Sequence, residues 1–226
     1  MAEAKRTRAA TVYEAVREEI FQGALGPGRK LRLVELAGRF GVSQSVVREA
    51  LTRLSEQDLV VAAPQQGFRV VTLSRAHLDE LTDARVEVES LVLRRSVLRG
   101  DIRWEAAVVA AHHQLAGTPV VDAEGKPNDA WFAVHERFHQ ALLEGCGNER
   151  LLSVAMALRD AATLYRRWSI PIARDVARDV TAEHRALMDA ALARDPDRAA
   201  ELLAAHLDRT AQALRAVVDE TAGTVA

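Results

Sequence analysis

With 226 residues, 49% of them apolar and 27% charged, the chain has an ordinary globular composition and enough length for one large domain or two modest ones. No apolar run approaches the length of a bilayer span, and Met-Ala-Glu-Ala-Lys-Arg at the start carries no signal-like apolar core. The single cysteine, Cys146, excludes an intrachain disulfide, and together these features predict a cytoplasmic protein without a membrane partner.

The net charge of −2 argues against nucleic acid, but its distribution does not. Residues 1–75 hold 12 Lys and Arg against 8 Asp and Glu, a balance of +4, while the remainder holds 18 against 24, a balance of −6. A basic head on an acidic body is the electrostatic footprint of a DNA-binding module joined to something else.

Residues 1–10 are basic and aperiodic and read as a disordered arm, with Lys5, Arg6 and Arg8 in solvent. Val12 to Phe21 predicts a first helix, broken by Gly23, Gly26, Pro27 and Gly28. Lys30 to Leu33 leads into a short helix ending at Phe40, and Gly41 supplies a tight turn. Ser43 then caps a second helix in which Val47, Ala50, Leu51 and Leu54 recur at i, i+3, i+4 and i+7. Gln44, Ser45 and Arg48 lie on its opposite face. Two short helices around a glycine turn, the second with a polar outer face, form a helix-turn-helix whose second helix fits a major groove. Leu59 to Ala62 and Phe68 to Val71 are β-rich runs about a Pro64–Gly67 turn, a hairpin that reads as a wing with Gln66 and Gly67 at its tip.

Beyond a linker at Thr72–Arg75 the pattern is helical throughout. Helices are expected over Arg75–Leu98, Trp104–Ala116, Asp129–Leu143, Glu149–Trp168, Thr181–Ala193 and Pro196–Val218, the last entered through the Asp195-Pro196 cap. Cys146, between Gly145 and Gly147, reads as a small turn residue rather than a nucleophile. The fold class is therefore mainly α: an arm (1–10), a winged helix-turn-helix domain (11–73) and an all-helical antiparallel bundle (74–222).

Four of the seven histidines are placed together by this pattern. His135 and His139 are i and i+4 on a face shared with Phe132 and Leu142. His184 and His206 lie about ten residues either side of the Arg194-Asp195 turn, at one height of an antiparallel hairpin. A single buried histidine is usually a packed core residue; four pointing inward from three helices suggest a transition-metal site. His77, His112 and His113 fit no such pattern and read as surface or packing residues. Arg85 falls on the apolar stripe of Leu78, Leu81, Val88 and Val92, where a guanidinium needs a partner. That partner is either Glu89, at i+4, or an anionic ligand. Trp168, with Arg166 and Tyr165, is a candidate to line the same pocket.

Two resemblances follow from these residues. The ordered run Gly26-Pro27-Gly28, Leu36-Ala37, Gly41-Val42-Ser43, Val47-Arg48-Glu49-Ala50-Leu51 and Gly67-Phe68 with Val70 resembles the GntR family of winged-helix bacterial regulators over residues 12–71. The resemblance implies that Ser43, Ser45, Arg48 and the wing tip at Gly67 meet double-stranded DNA. Gln44 stands where the family usually has arginine, and glutamine pairs with adenine where arginine prefers guanine, so base preference should differ there. Val34 replaces an often charged residue.

Phe138-His139 followed by Gly147-Asn148, with Glu183-His184 and His206-Leu207, resembles the FCD effector domain of the FadR-like branch. In that family an aspartate and three histidines bind a metal, commonly zinc or nickel; here His135 takes the aspartate position. Loss of that carboxylate favours zinc, nickel or copper over magnesium or calcium. FCD domains also commonly carry arginine at the place of Arg85 and bind small carboxylates. The expectation is a homodimeric, non-enzymatic repressor controlled by a small organic acid bound beside the metal. The alternatives are a sensor of the metal alone, or a histidine-ligated metalloenzyme.

Overall fold

The computed structural model describes residues 7–57, 59–63, 67–72, 74–123, 128–163, 165 and 178–222. It divides into two compact units, Met1–Ser74 and Arg75–Ala226.

In the first unit the order is α1 (Arg8–Phe21), β1 (Lys30–Leu31), α2 (Leu33–Phe40), α3 (Gln44–Ser55), β2 (Val60–Ala63) and β3 (Gly67–Val70). Helix α1 begins inside the stretch expected to be a disordered arm. The Thr7 hydroxyl accepts the Ala10 N–H at 3.2 Å, and Ala9 joins Val12, Tyr13, Val16 and Ile20 on the buried face. Thr7 at the N-cap and an apolar residue in the first turn outweigh the basic composition around them. Residues 1–6 lie outside the described part.

The turn between α2 and α3 is made by Gly41 at φ 61°, whose neighbour Val42 donates its N–H to Ala37. This left-handed conformation costs glycine little and other residues more. The Ser43 hydroxyl accepts the Val46 N–H and also meets Ser45 Oγ at 2.8 Å. Val47, Ala50, Leu51 and Leu54 are completely buried, as their spacing predicted. The strands form a sheet in the order β1-β3-β2, with Val60 opposite Val70 and Leu31 opposite Phe68. Strand β1 was not foreseen. Two residues carry no alternation to read, and only the pairing with β3 defines it.

In the second unit the helices are α4 (Arg75–Arg99), α5 (Ile102–Ala116), α6 (Asp129–Leu143), α7 (Glu149–Ala161), α8 (Val180–Leu192) and α9 (Pro196–Ala222), with a 3-10 turn at Glu144–Cys146. Asp101, Asn128, Asn148 and Asp179 cap α5 to α8, each accepting from backbone N–H groups of the first turn. Their side chains satisfy donors that the helix itself leaves open. Helix α4 runs along α9 on one side and α7 on another, and α6 closes on α5. Leu93, Val97, Val108, Phe138, Leu142, Leu187 and Leu203 fill the centre. Trp104 donates its indole N–H to the Ala141 carbonyl and packs so close to Gly100 that a β-carbon there would clash at 2.3 Å.

Two helix bounds differ from the sequence expectation. Helix α7 ends at Ala161 with Ala162 as its C-cap, inside the span expected to run to Trp168, and α9 continues past Val218 to Ala222. Trp168 and Arg166 lie outside the described residues, as does Gln66. Cys146 is buried, with its thiol 3.3 Å from the Asn148 carbonyl, so it is a packing residue of the turn. Among the described residues no helix is long and apolar enough to cross a membrane.

Candidate metal and effector site

The four histidines meet. His135 and His139 come from α6, His184 from α8 and His206 from α9, and all four are buried. One ring nitrogen from each lies within 4.8 Å of the other three. His139 Nε2 and His184 Nε2 stand 3.3 Å apart. In a tetrahedral zinc site with Zn–N near 2.0–2.1 Å, neighbouring donor nitrogens are about 3.3–3.4 Å apart. One edge of such a polyhedron is thus already at its length, and the others need only small side-chain movements.

The second layer sets the orientation of His206. Its Nδ1 is 2.8 Å from Glu183 Oε2, so Nδ1–H donates to the carboxylate and Nε2 keeps its lone pair. Arg178 Nη2 also approaches Nδ1, at 3.2 Å. Two donors cannot share one hydrogen bond; Arg178 is satisfied by Glu183, by the His206 carbonyl and by Thr210 Oγ1. A carboxylate behind an imidazole raises its basicity and fixes its tautomer, the usual support of a metal-ligating histidine. Trp131 stacks on His135, with ring centroids 4.7 Å apart and planes inclined by 28°.

Burial holds the site neutral. It is the largest influence on His139, His184 and His206 and pushes each below its ordinary value of 6.5, far below for the first two. The other histidines add to this for His139, and Glu183 only partly offsets it for His206. Unprotonated imidazoles are the form a metal binds. Glu183 shows the opposite balance: burial pushes it up, but hydrogen bonds from His206, Arg178 and Arg209 hold it well below the usual carboxylate range.

Beside the histidines is a cavity of about 90 Å³ whose walls include Arg85, Trp131, Arg159, Arg178 and Thr210. Arg85 makes the i,i+4 pair with Glu89, Nε to Oε1 at 2.7 Å. No hydrogen-bond partner of its other two nitrogens occurs among the described residues, so pairing and exposure to the cavity coexist. Arg159, only 1% exposed, bridges Glu89 and Glu136 with all three of its nitrogens. Burial pushes Glu89 up, but the charges of Arg85 and then Arg159 more than reverse it and keep the carboxylate ionised.

Sequence reasoning did not find Arg159, Arg178 or Trp131. The first was legible as a charge four residues after Ala155, the two buried residues of α7. Arg178 precedes its helix and is brought in by Glu183 and Thr210, pairings with no local signature. Of the remaining histidines, His112 packs edge-on against Phe138 and His77 meets the Tyr165 hydroxyl at 2.8 Å.

In the first unit Ser43, Gln44, Ser45 and Arg48 are all exposed along the N-terminal half of α3, and Gly67 opens β3 at φ 84°. A winged helix-turn-helix with an exposed polar face on α3, followed by an α-helical unit with a small cavity beside four histidines, is the architecture of a DNA-binding regulator with a second helical domain.

The comparisons specify the family. Residues 8–70 match the model for bacterial regulatory proteins of the gntR family, and residues 80–209 match the FCD domain. The HTH-type transcriptional repressor GlaR of Escherichia coli (strain K12) is 35% identical over 199 residues, covering 86% of this chain and 90% of its own. The uncharacterized HTH-type regulator BphR of Paraburkholderia xenovorans (strain LB400) is 36% identical over 203 residues, covering 86% of this chain and 80% of its own. Among solved structures, E. coli McbR/YncC superposes with a TM-score of 0.71 at 22% identity, covering 93% of this chain and 98% of that one. The chain belongs to the GntR family of transcriptional regulators with an FCD domain. It is a regulator of transcription rather than an enzyme.

Proposed function

We propose that the protein is a homodimeric repressor, acting in the cytoplasm, whose affinity for a double-stranded DNA operator is set by a small carboxylic acid bound beside a metal ion in the FCD domain. Ser43, Gln44, Ser45, Arg48 and the wing tip at Gln66 and Gly67 would contact the operator. His135, His139, His184 and His206 would hold one zinc- or nickel-class ion, which supplies a Lewis-acidic anchor for an anion. The effector would also meet Arg85 and Trp168.

The observation that carries this reading is the convergence of four neutral imidazoles with arginines in one small cavity. Among the described residues Arg85, Arg159 and Arg178 line it and pair with Glu89, Glu136 and Glu183, three positive groups against three negative. A divalent ion would turn that balance into an excess of two positive charges in a poorly solvated site, which favours an anion. The repressor sense comes from the name of the related GlaR protein.

A second reading, a sensor of the ion alone, draws on the donor set itself. Four imidazoles can complete a tetrahedral ion and leave no open position, whereas an octahedral ion keeps two. Elemental analysis of untagged protein should find about one such ion per chain. An operator gel shift with and without a panel of small acids then separates the readings. Release of DNA by an acid only when metal is present supports the proposal, and a response to chelation alone supports the sensor.

A further inference from the structure

One charged, apolar-centred face of the second unit is used by none of this. Helix α4 turns one side to α7 and α9. Its outer side presents Leu91 at 46% and Leu98 at 70% exposure, with Asp83, Glu87 and Arg99 exposed and Ala84 and Arg95 half-buried. Ala84, Glu87, Leu91, Arg95 and Leu98 follow the i, i+3, i+7, i+11, i+14 spacing of a helix–helix seam.

Its charges are left over. Arg94 is taken by Asp197 of α9 at 3.1 Å, but Asp83, Glu87, Arg95 and Arg99 have no ion-pair partner among the described residues. Arg95 Nε is buried and has no hydrogen-bond partner among the described residues. A buried guanidinium nitrogen left unpaired is costly, so something that accepts a hydrogen bond belongs there.

We propose that this face of α4 is the contact between two copies of the chain, packed antiparallel about a twofold axis through Leu91. The proposal rests on the homodimer above and gives it a surface. Such an axis sets residue 91+n of one copy against residue 91−n of the other. Leu91 then meets its own copy, Glu87 faces the second copy's arginine at 95, Asp83 faces the one at 99, and Leu98 covers the small Ala84. Every charged pair is of opposite sign. A parallel arrangement would set each residue against itself, acid on acid and base on base. The sequence is therefore complementary to itself in one orientation only, as a closed isologous dimer requires. A partner of unrelated chemistry has no reason to mirror that order.

The test uses full-length protein. Sedimentation velocity should show a dimer, Glu87→Arg should weaken self-association about tenfold or more by setting like charges together, and Glu87→Arg with Arg95→Glu should restore it. Mild oxidation should cross-link Leu91→Cys into a dimer, the buried Cys146 of the parent serving as background. Leu98→Cys should not cross-link, because its two copies would lie about 21 Å apart, fourteen residues along the helix direction. Cross-linking at both positions would mean parallel helices and overturn the register. A dimer of unchanged stability in Glu87→Arg with no cross-link at 91 overturns this surface and leaves the homodimer standing. A monomer at concentrations that saturate the operator overturns both.

Discussion

At the scale of single residues, the site depends on keeping polar groups paired where water cannot reach them. Glu89 is completely buried between Arg85 and Arg159, so Glu89→Ala would remove the carboxylate that pairs with Arg85 and leave Arg159 with Glu136. Breaking such a network should cost roughly 3–5 kcal/mol, read as a large fall in melting temperature; a loss under 1 kcal/mol would mean that water replaces the carboxylate. The pH dependence follows from the imidazoles. His139, His184 and His206 have folded values below the 6.5 of the free side chain. The unfolded chain therefore takes up protons that the folded one refuses, and their contribution is complete above about pH 6.5 and declines as the pH falls below it. Metal-free protein should lose stability through that window in denaturant titrations at stepped pH, with a slope of up to three protons. A flat profile from pH 7 to 5 would show that these groups are hydrated. The convergence of His135, His139, His184 and His206 was legible because helical period and hairpin height are local quantities. Arg178 was not, because its place depends on partners in α8 and α9.

Elements carry the next set of properties. The recognition helix α3 was legible almost residue by residue, since its buried stripe and its exposed polar face repeat with the helical period. Strand β1 and the first turn of α1 were not, being fixed respectively by pairing with β3 and by one capping hydroxyl. Arg48 is exposed on α3 and makes no side-chain bond among the described residues, so Arg48→Ala should leave folding intact. Operator binding should weaken by about 1–3 kcal/mol, the value of a good base contact, in a gel shift at fixed salt. Unchanged affinity would remove α3 from the groove. Gln44→Arg should change the preferred base at one position more than the overall affinity, and selection from random duplexes would reveal an altered consensus. An identical consensus for both proteins would reject a base contact at this position.

For the whole molecule, metal and effector should be coupled through charge. The ion would add two positive charges to a cavity whose described charged groups balance, while the imidazoles that would bind it are neutral. An acid with two polar ends can offer one oxygen to the ion and direct the other end toward Arg85, whose Nη atoms are not used by Glu89. A cavity of about 90 Å³ favours a molecule of few atoms over a nucleotide or a long acyl chain. Calorimetry with a panel of small hydroxy- and dicarboxylic acids should therefore find a ligand that binds the metal-loaded protein and is weakened after chelation. Arg85→Lys should weaken it less than Arg85→Ala, because lysine keeps the charge but loses the fork. His206→Ala should remove most of the metal and, with it, the stabilisation that the ion gives the folded state. Glu183→Gln should lower metal affinity by about 10–100-fold while sparing the four nitrogens, as loss of a supporting carboxylate does. A best ligand that is neutral or cationic, or that binds equally with and without metal, would refute the charge argument. It would leave the helix-turn-helix and its operator untouched, because α3 and the histidine cluster belong to separate units of the chain.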